Sequence, residues 1–286
     1  MSKWRYMHWQ IAYRTAKEEP FRLVDNPPYA WAADPFLVEY GGKIYLFAEL
    51  FLYRSERNGV IGYCIYENGR FGEWRVSMDE HWHLSYPNVF VEDGELYMCP
   101  ESWQKNEVGI YRLREFPDKW EQTACLFRNV RYVDTTFLRQ EGRRYAFTFA
   151  PSFQGDSGKL LLYRQESDGA WSAPLFLTSD RSLARPGGNF IRRGGRLFRV
   201  SQNCQDSYGE GLVFSEVTSL WPEYREQVVR RILPGDLRIE TEKKVLGVHT
   251  YNRCGGLEVI DIRYYAPSFG EYRAARRTHK VFLNKY

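Results

Sequence analysis

Cysteine pairs and long apolar runs are both missing from this chain. Its five cysteines are scattered over 286 residues without a C-x-x-C pair. That distribution excludes a compact disulfide framework and a zinc-finger type of site, and favours buried, reduced thiols. No stretch approaches 18 uninterrupted apolar residues, and the N-terminus lacks the long apolar core of a secretory signal. We therefore expect a soluble, cytoplasmic protein.

A strong excess of charge of either sign is also lacking. The formal net charge is +4 and the isoelectric point is near 8.7, with only short basic clusters such as Arg192-Arg193 and Arg276-Arg277. This spread of charge does not indicate a nucleic-acid-binding surface, but it is compatible with an acidic or phosphorylated ligand. No low-complexity linker divides the sequence, so we expect a single domain over residues 1–286.

Aromatic residues, in contrast, are abundant. They make up 17% of the chain, with 9 Trp and 21 Tyr. Planar side chains pack well on the half-buried surface of a β-sheet, and they also stack on the C–H faces of sugar rings. Core packing accounts for most of them, so a glycan ligand is compatible with this composition without being required by it.

One sequence pattern occurs four times. The first copy runs from Asp34 to Glu49, with a glycine eight positions and an aromatic residue eleven positions after its first residue. The later copies start at Tyr86, Asp134 and Gly187, which lie 52, 48 and 53 residues beyond the preceding start. A period of about 50 residues built from alternating strands is typical of β-propeller blades.

Each copy continues into two further strands, as at Val60–Tyr66 and around Trp74, which predicts four strands per blade. A fifth, weaker copy starts at Val248 and has no evident outer strand. Because an exposed sheet edge must be covered, we expect the N-terminal segment Trp4–Tyr13 to complete this blade. The predicted fold is all-β, a five-bladed β-propeller whose ring is closed by the N-terminal strand. Ser219–Val229, which has helical character, is interpreted as a connection between blades.

The positions that differ between copies are the candidates for chemistry, because a propeller directs the same strand of every blade towards one central funnel. The first repeat position holds Asp34, Tyr86, Asp134 and Gly187, and the sixteenth holds Glu49, Glu101, Phe149 and Gln202. We expect the carboxylates among them to converge, although each could instead cap a loop or pair with an arginine. For Asp34 a functional role is favoured, since its neighbours Trp31–Phe36 are otherwise apolar and a buried charge needs a reason.

Other polar residues flank these positions. The candidate substrate-binding residues are Glu49, His83, Tyr86, Arg185, Gln202, Asn203 and His249. An arginine in a funnel is suited to a carboxylate or phosphate, and it is equally suited to a structural salt bridge between blades. A metal site is not favoured for the two histidines, because no third ligand lies at a useful local spacing. No cofactor is implied.

Several motifs resemble known propeller families. Asp34-Pro35-Phe36, followed by Asp134-Thr135-Thr136-Phe137, resembles the five-bladed glycoside hydrolases of families 43 and 32. That resemblance implies that Asp34 is a base or nucleophile and that Asp134 tunes the acid. A closer resemblance, over residues 30–260, is to the N-terminal propeller of plant glucosamine inositolphosphorylceramide transferases and to similar domains in bacterial surface-polysaccharide proteins. It rests on the motifs Ala33–Leu37, His83–Pro87, Pro100–Ser102 and Ala184–Pro186.

The sequence departs from the hydrolases where their general-acid glutamate is expected, since Arg185-Pro186-Gly187 stands in that region. Hydrolysis requires a protonated acid at the leaving oxygen, whereas a departing phosphate can be neutralised by Arg or His. This pattern favours an enzyme that transfers a sugar from or onto a phosphorylated species during surface polysaccharide or glycolipid assembly. Its expected catalytic residues are Asp34 as base, with Glu101 and Asp134.

Two alternatives remain open at this point. One is an inverting glycosidase that uses Asp34 and Glu101, and the other is a glycan-binding propeller without turnover. For the transferase, the expected partners are a sugar or glycan, a nucleotide-sugar or other phosphorylated donor, and a membrane contacted peripherally through a lipid-linked acceptor. Glu49 is a second candidate for the acid that hydrolysis needs.

Overall fold

A computed structural model describes residues 7–53, 59–152 and 157–265. Residues 4–6 of the expected Trp4–Tyr13 strand and the Arg276-Arg277 cluster therefore lie outside the described part. Among the described residues there is no α-helix, and the only helical turns are the 3-10 segments Trp103–Lys105 and Pro234–Asp236. No helix in these ranges is long and apolar enough to cross a membrane.

The described residues form 22 strands. The first five are β1 (Met7–Arg14), β2 (Arg22–Leu23), β3 (Ala30–Tyr40), β4 (Lys43–Leu52) and β5 (Gly59–Glu67). They are followed by β6 (Arg70–Phe71), β7 (Arg75–Met78), β8 (Ser85–Glu92), β9 (Glu95–Glu101), β10 (Glu107–Glu115) and β11 (Lys119–Arg128). The next are β12 (Val133–Gln140), β13 (Arg143–Pro151), β14 (Gly158–Arg164), β15 (Leu175–Thr178), β16 (Arg185–Pro186) and β17 (Ile191–Arg193). The last are β18 (Arg196–Asn203), β19 (Gly211–Ser219), β20 (Arg225–Ile232), β21 (Tyr251–Cys254) and β22 (Leu257–Tyr265).

These strands form five antiparallel sheets, each with four strand positions, which confirms the predicted five-bladed propeller. From the inner to the outer strand, blade one is β3-β4-β5 with an outer strand divided into β6 and β7. Blades two and three are β8-β9-β10-β11 and β12-β13-β14-β15. Blade four has an inner strand divided into β16 and β17, followed by β18-β19-β20.

Blade five is built from both ends of the described chain, in the order β21-β22-β1-β2. Strand β1 pairs with β22 over eight residue pairs, from Met7 with Tyr265 to Arg14 with Glu258. The N-terminal segment thus supplies the third strand of this blade, as expected, and β2 supplies the outer one as well. Pairing the N-terminal strand with β22 covers an edge that would otherwise expose unpaired backbone groups.

The repeated glycine marks the turn between the first and second strands of a blade. In the first four blades both turn residues have positive φ, as at Gly41 (57°) and Gly42 (74°) or Asp93 (50°) and Gly94 (80°). Two consecutive positive φ values define the tight hairpin whose twist matches that of the flanking strands. The glycine therefore recurs because this hairpin recurs.

The interpretation of Ser219–Val229 as a connection between blades is wrong. Ser219 ends β19, and residues from Arg225 onward form β20, the outer strand of blade four. This strand pairs with β19 from Ser219 with Arg225 to Leu212 with Ile232. Most of its residues are half-buried or exposed, so it lacks the apolar alternation that identifies a strand in a sequence.

Candidate functional site

The first repeat position lies in a β-bulge in each of the first three blades. Asp34, Tyr86 and Asp134 all have positive φ, at 53°, 41° and 51°. In blade one, Ala33 pairs with Glu49 and Phe36 with Phe47, so two residues of the inner strand oppose one residue of its partner. Left-handed backbone at a residue other than glycine is uncommon, and such strain concentrates at functional sites. The repeat thus carries a shared backbone distortion at the positions where the side chains differ.

The sixteenth repeat position lies on the second strand of its blade. In the first three blades it pairs with the residue just before the bulge. Glu49 pairs with Ala33, Glu101 with Ser85, Phe149 with Val133 and Gln202 with Arg185. Blade five continues the set with Asp261, which lies beside the pair of Tyr251 with Ile260 and is fully buried. Equivalent register brings these five side chains to one end of the propeller, as the sequence predicted for the first four.

Asp34 is buried among hydrogen-bond donors from two neighbouring blades. Its Oδ1 accepts a bond from the Thr250 hydroxyl at 2.9 Å, and its Oδ2 accepts one from the backbone N–H of Tyr86 at 3.2 Å. Burial raises the pKa of Asp34 to about 6; His249 opposes this shift, and the carboxylates of Asp134 and Asp261 add to it. Such a carboxylate is largely ionised at neutral pH and still basic enough to take a proton.

Asp134 binds two donors from blade four. Arg185 Nε donates to Asp134 Oδ2, and Gln202 Nε2 donates to the same oxygen at 3.0 Å. The guanidinium of Arg185 also lies 4.9 Å from the ring centroid of Tyr208, and about a fifth of its side chain is exposed. Arg185 therefore forms a salt bridge between blades while part of its side chain is exposed, and its binding of a ligand carboxylate or phosphate stays a prediction.

Glu101 connects blades two and three. Its Oε2 accepts the backbone N–H of Asp134 at 3.3 Å. Burial raises the pKa of Glu101 well above its usual range, and the negative charge of Asp134 adds to that effect, while Arg185 opposes it. Glu101 therefore keeps a proton more readily than an ordinary glutamate.

Glu49 lies beside His83, with 3.5 Å between Glu49 Oε1 and His83 Nε2. The backbone N–H of Gly59 donates to His83 Nδ1 at 3.0 Å, so Nδ1 carries no proton. Burial lowers the pKa of His83 to about 4. Burial also raises the pKa of Glu49 well above its usual range, and the neighbouring carboxylates raise it further. The pair is therefore a neutral imidazole beside a carboxyl group that keeps its proton more readily than an ordinary glutamate.

His249 contacts the cluster from blade five. Its Nδ1 lies 2.6 Å from Asp261 Oδ2, and its Nε2 lies 3.6 Å from Asp34 Oδ1. The ring stacks on Trp9 from β1, with 3.9 Å between ring centroids. Burial alone would lower the pKa of His249, but Asp261 and Asp34 outweigh it and raise the pKa. The imidazolium form is favoured between these two carboxylates.

Two predicted binding residues have different surroundings. The hydroxyl of Tyr86 lies 2.8 Å from Thr136 Oγ1 and accepts a bond from the backbone N–H of Gly188 at 2.7 Å, so it joins blades two, three and four. The Oδ1 of Asn203 accepts the backbone N–H of Gln205 at 3.2 Å and thus caps its own loop. Substrate binding by either residue stays a prediction.

Sequence reasoning missed Asp261 and Thr250 as members of the site. The hairpin of blade five is shorter: Asp261 follows the turn residue Gly256 by five residues, whereas Glu49 follows Gly42 by seven, so a fixed spacing does not find Asp261. A signal was nevertheless present, because Asp261 is a lone acid within the apolar run Val259–Ile262. Thr250, a short polar residue beside His249, gave no comparable signal.

Asp34, His249 and Asp261 each offer a ligand atom within 4.8 Å of the other two, a grouping that could hold a metal ion. The donors already present argue against that role. The carboxylate of Asp261 accepts the backbone N–H groups of Asp34, His249 and Thr250 at 2.9 to 3.0 Å, in addition to the His249 ring. A carboxylate satisfied by four N–H donors has little capacity left for a cation.

One small cavity adjoins this cluster. It has a volume of about 10 Å³ and is lined in part by Phe149, Arg185 and Tyr208, which is room for a single water molecule.

The architecture and the site together define a class of protein: a five-bladed β-propeller with buried carboxylates gathered at one end of its inner strands. Residues 23–261 match the family model described as glucosamine inositolphosphorylceramide transferase 1, N-terminal. The chain therefore belongs to this family, as its motifs indicated.

Plant proteins named glucosamine inositolphosphorylceramide transferase 1 are similar to this chain. The Oryza sativa subsp. japonica protein is 32% identical over 227 residues, covering 76% of this chain and 29% of the relative. The Arabidopsis thaliana protein is 32% identical over 212 residues, covering 70% and 27%. The chain thus spans less than a third of the length of these relatives.

Solved structures with the same fold include glycoside hydrolases. An α-L-arabinofuranosidase from Podospora anserina, in complex with cellotriose, superposes with a TM-score of 0.60 at 10% identity, covering 91% of this chain and 98% of that one. A family 43 β-xylosidase/α-arabinofuranosidase from a compost microbial metagenome, in complex with xylotriose, gives 0.58 at 12% identity, covering 85% and 87%. At these identities the likeness shows the fold alone, and it agrees with the architecture expected from the Asp34 and Asp134 motifs.

Proposed function

We propose that this propeller is a carbohydrate-active enzyme that transfers a sugar in the assembly of a surface polysaccharide or glycolipid. The proposal rests on the environment of Asp34. It combines a strained backbone, with φ of 53°, a buried carboxylate whose pKa is raised to about 6, and contacts from two neighbouring blades. A strained, buried and perturbed carboxylate at the end of the inner strands is suited to proton transfer.

In this mechanism Asp34 is the general base. The acceptor hydroxyl gives its proton to the Asp34 carboxylate while its oxygen forms a bond to the anomeric carbon of the donor sugar, and the donor phosphate leaves with the bonding electrons. Arg185, with part of its guanidinium exposed, neutralises the leaving phosphate. Glu101 and Asp134 hold sugar hydroxyls or tune Asp34, and His83 and His249 contribute to binding.

The names of the plant relatives suggest the substrates. They point to a donor that carries glucosamine, such as a nucleotide sugar, and to inositolphosphorylceramide as acceptor. A lipid-linked acceptor would bring the protein into peripheral contact with a membrane surface. We further propose that residues 1–286 act as a single domain at the cytoplasmic side of such a membrane.

The experiment is a transfer assay with mass-spectrometric detection of product. Purified protein is incubated with UDP-glucosamine or UDP-N-acetylglucosamine and with inositolphosphorylceramide in detergent micelles. We expect product with the wild type, a rate that rises with pH through an apparent pKa near 6, and a loss of about 10²-fold or more in the Asp34→Asn variant. Asp118→Asn, at an exposed turn between β10 and β11, is the matched control. Full turnover by Asp34→Asn would remove Asp34 from the role of base.

A second candidate function, glycoside hydrolysis, is favoured by one observation. Burial and the surrounding carboxylates raise the pKa of Glu49 well above its usual range, and an inverting hydrolase needs an acid that keeps its proton more readily than an ordinary carboxyl group, opposite a base. Release of reducing sugar from an oligosaccharide, lost in both Asp34→Asn and Glu49→Gln, would favour hydrolysis over transfer. Glycan binding that survives both substitutions without any product would instead indicate a binding module.

A further inference from the structure

The contact between blades two and three differs from the other four contacts between neighbouring blades. The four apolar clusters found among the described residues lie between blades one and two, three and four, four and five, and five and one. Between blades two and three there is instead a pocket of about 320 Å³. We call it the seam pocket, and its volume falls at the lower end of the range of about 300–1,000 Å³ typical of small-molecule sites.

The walls of the seam pocket are largely aromatic and aliphatic. Phe90 and Tyr97 from blade two stack with 5.7 Å between ring centroids and a 12° interplanar angle. Phe137 from blade three lies 5.6 Å from Phe90, also between ring centroids. The other apolar residues in the lining are Val91, Ile110, Ala124 and Leu138. Such walls are suited to a flat or flexible apolar body.

The lining contains more arginines than acidic residues. Arg139 and Arg144 both bind one carboxylate, Glu92, with Arg139 Nη1 at 2.9 Å and Arg144 Nε at 3.1 Å from its Oε1. Glu92 is the only acid in the lining. Each guanidinium has five N–H donors, so Glu92 leaves donors free on both arginines.

A third arginine is the strand neighbour of one lining residue, although it is not itself part of the lining. Arg112 pairs across the strands with Tyr97, and directly paired residues point to the same face of a sheet. Its Nε is buried and has no hydrogen-bond partner among the described residues. A buried donor of this kind is costly unless an acceptor meets it.

We propose that the seam pocket binds an anionic amphiphile, whose apolar body lies between Phe90, Tyr97 and Phe137 and whose phosphate or carboxylate lies on Arg139 and Arg144. The apolar walls and the excess of guanidinium groups in the lining both fit such a ligand. Planar, bidentate recognition by arginine is the favoured way to hold these anions.

This site is separate from the cluster around Asp34. Its lining includes the end of β8 and the start of β9, and likewise the end of β12 and the start of β13. Those segments flank the tight hairpins, whereas Asp34 and Glu101 each lie seven residues from the hairpin turn of their own blade. The proposal therefore does not depend on the proposed function.

The test is calorimetric titration with decyl phosphate below its critical micelle concentration. Decyl phosphate is expected to bind at least tenfold more tightly than inorganic phosphate or decyl maltoside, since only it offers both the apolar body and the anion. Asp34→Asn should bind it as the wild type does. Equal binding of phosphate and decyl phosphate, or no binding of decyl phosphate, would overturn the proposal.

Three variants localise the binding. Ala124→Trp, at an exposed lining position, fills the pocket and should weaken binding about tenfold or more. Glu92→Gln removes the negative charge that Arg139 and Arg144 bind, so it should tighten the binding of decyl phosphate. If Glu92 only held the two arginines in place, its loss would weaken binding instead. Arg143→Gln, on the same hairpin but outside the lining, is the control and should have no effect. Binding that is unchanged in both Ala124→Trp and Glu92→Gln would place the ligand elsewhere and refute the site.

The source of the ligand is distinguished by a second measurement. If the amphiphile is a membrane lipid, the protein should float with vesicles that contain phosphatidic acid, and Ala124→Trp should abolish this flotation. If it is a soluble metabolite, decyl phosphate should bind without flotation. Either result supports the site, whereas flotation that Ala124→Trp leaves intact counts against it.

Discussion

His249 Nδ1 lies 2.6 Å from the carboxylate of Asp261, and the two residues are almost entirely buried. The same carboxylate accepts the backbone N–H of Asp34 at 3.0 Å. Asp261 thus links the imidazole of blade five to the strained backbone of Asp34 in blade one. This connection fixes where the Asp34 side chain lies relative to His249.

We predict that Asp261→Asn destabilises the protein by about 3 kcal/mol or more, because removing one partner of a buried ion pair leaves the other uncompensated. The asparagine also loses one of the two oxygens that accept backbone N–H groups. Urea unfolding followed by tryptophan fluorescence measures the change. Asp118→Asn, whose side chain is more than half exposed, should change the free energy of unfolding by less than about 0.5 kcal/mol. Similar values for the two variants would contradict the role of Asp261.

A second prediction concerns the pH dependence of stability. The folded-state pKa of Asp34 is about 6, above its ordinary value of 3.8, so the folded protein binds this proton more tightly than the unfolded chain. The ionised carboxylate therefore costs stability as the pH rises through about 6, and protonation restores it towards pH 4. Asn cannot ionise and tolerates the left-handed backbone of this position.

The stability of Asp34→Asn relative to the wild type should accordingly be greater at pH 8 than at pH 5, by about 1.4 kcal/mol. Paired urea unfolding curves of the two proteins at both pH values give this difference directly, because other titrating groups largely cancel. A difference of the opposite sign, with the variant relatively better at pH 5, would mean that the pKa of Asp34 is lowered rather than raised.

The parts of this structure that could be predicted from the sequence are those with a local or periodic cause. The glycine of each hairpin recurs at a fixed spacing, so it predicted the blades, and equivalent register predicted that Asp34, Glu49 and Glu101 meet. The partner of Asp134 was not predictable in the same way, because Arg185 is 51 residues away and its two possible roles depend on side-chain direction. Asp261 was missed because a shorter hairpin changes the spacing. The strand from Arg225 was missed because an exposed outer strand carries little apolar alternation.

The Arg185 salt bridge leads to a third prediction. Arg185→Met leaves the buried carboxylate of Asp134 with Gln202 as its remaining side-chain donor and should cost about 3–5 kcal/mol, whereas Arg185→Lys keeps the charge and should cost less. Arg225→Met, which breaks an exposed pair with Glu223, should cost no more than about 1 kcal/mol. Thermal and urea unfolding of the three variants decide the order, and an Arg185→Met protein as stable as Arg225→Met would show that Asp134 does not need its partner.

The protonation state of Glu49 gives the last prediction. Burial and the nearby carboxylates raise its pKa well above the usual range, and the neighbouring His83 is neutral, with a pKa near 4. Since a protonated glutamate resembles glutamine in shape and charge, Glu49→Gln should change the free energy of unfolding at pH 7 by less than about 1 kcal/mol. Glu226→Gln is the contrasting control, because Glu226 binds the buried guanidinium of Arg199 at 2.7 and 2.8 Å, and it should cost about 3–5 kcal/mol. If Glu49→Gln proves as costly as Glu226→Gln, Glu49 is ionised in the folded protein and cannot supply the proton that glycoside hydrolysis requires.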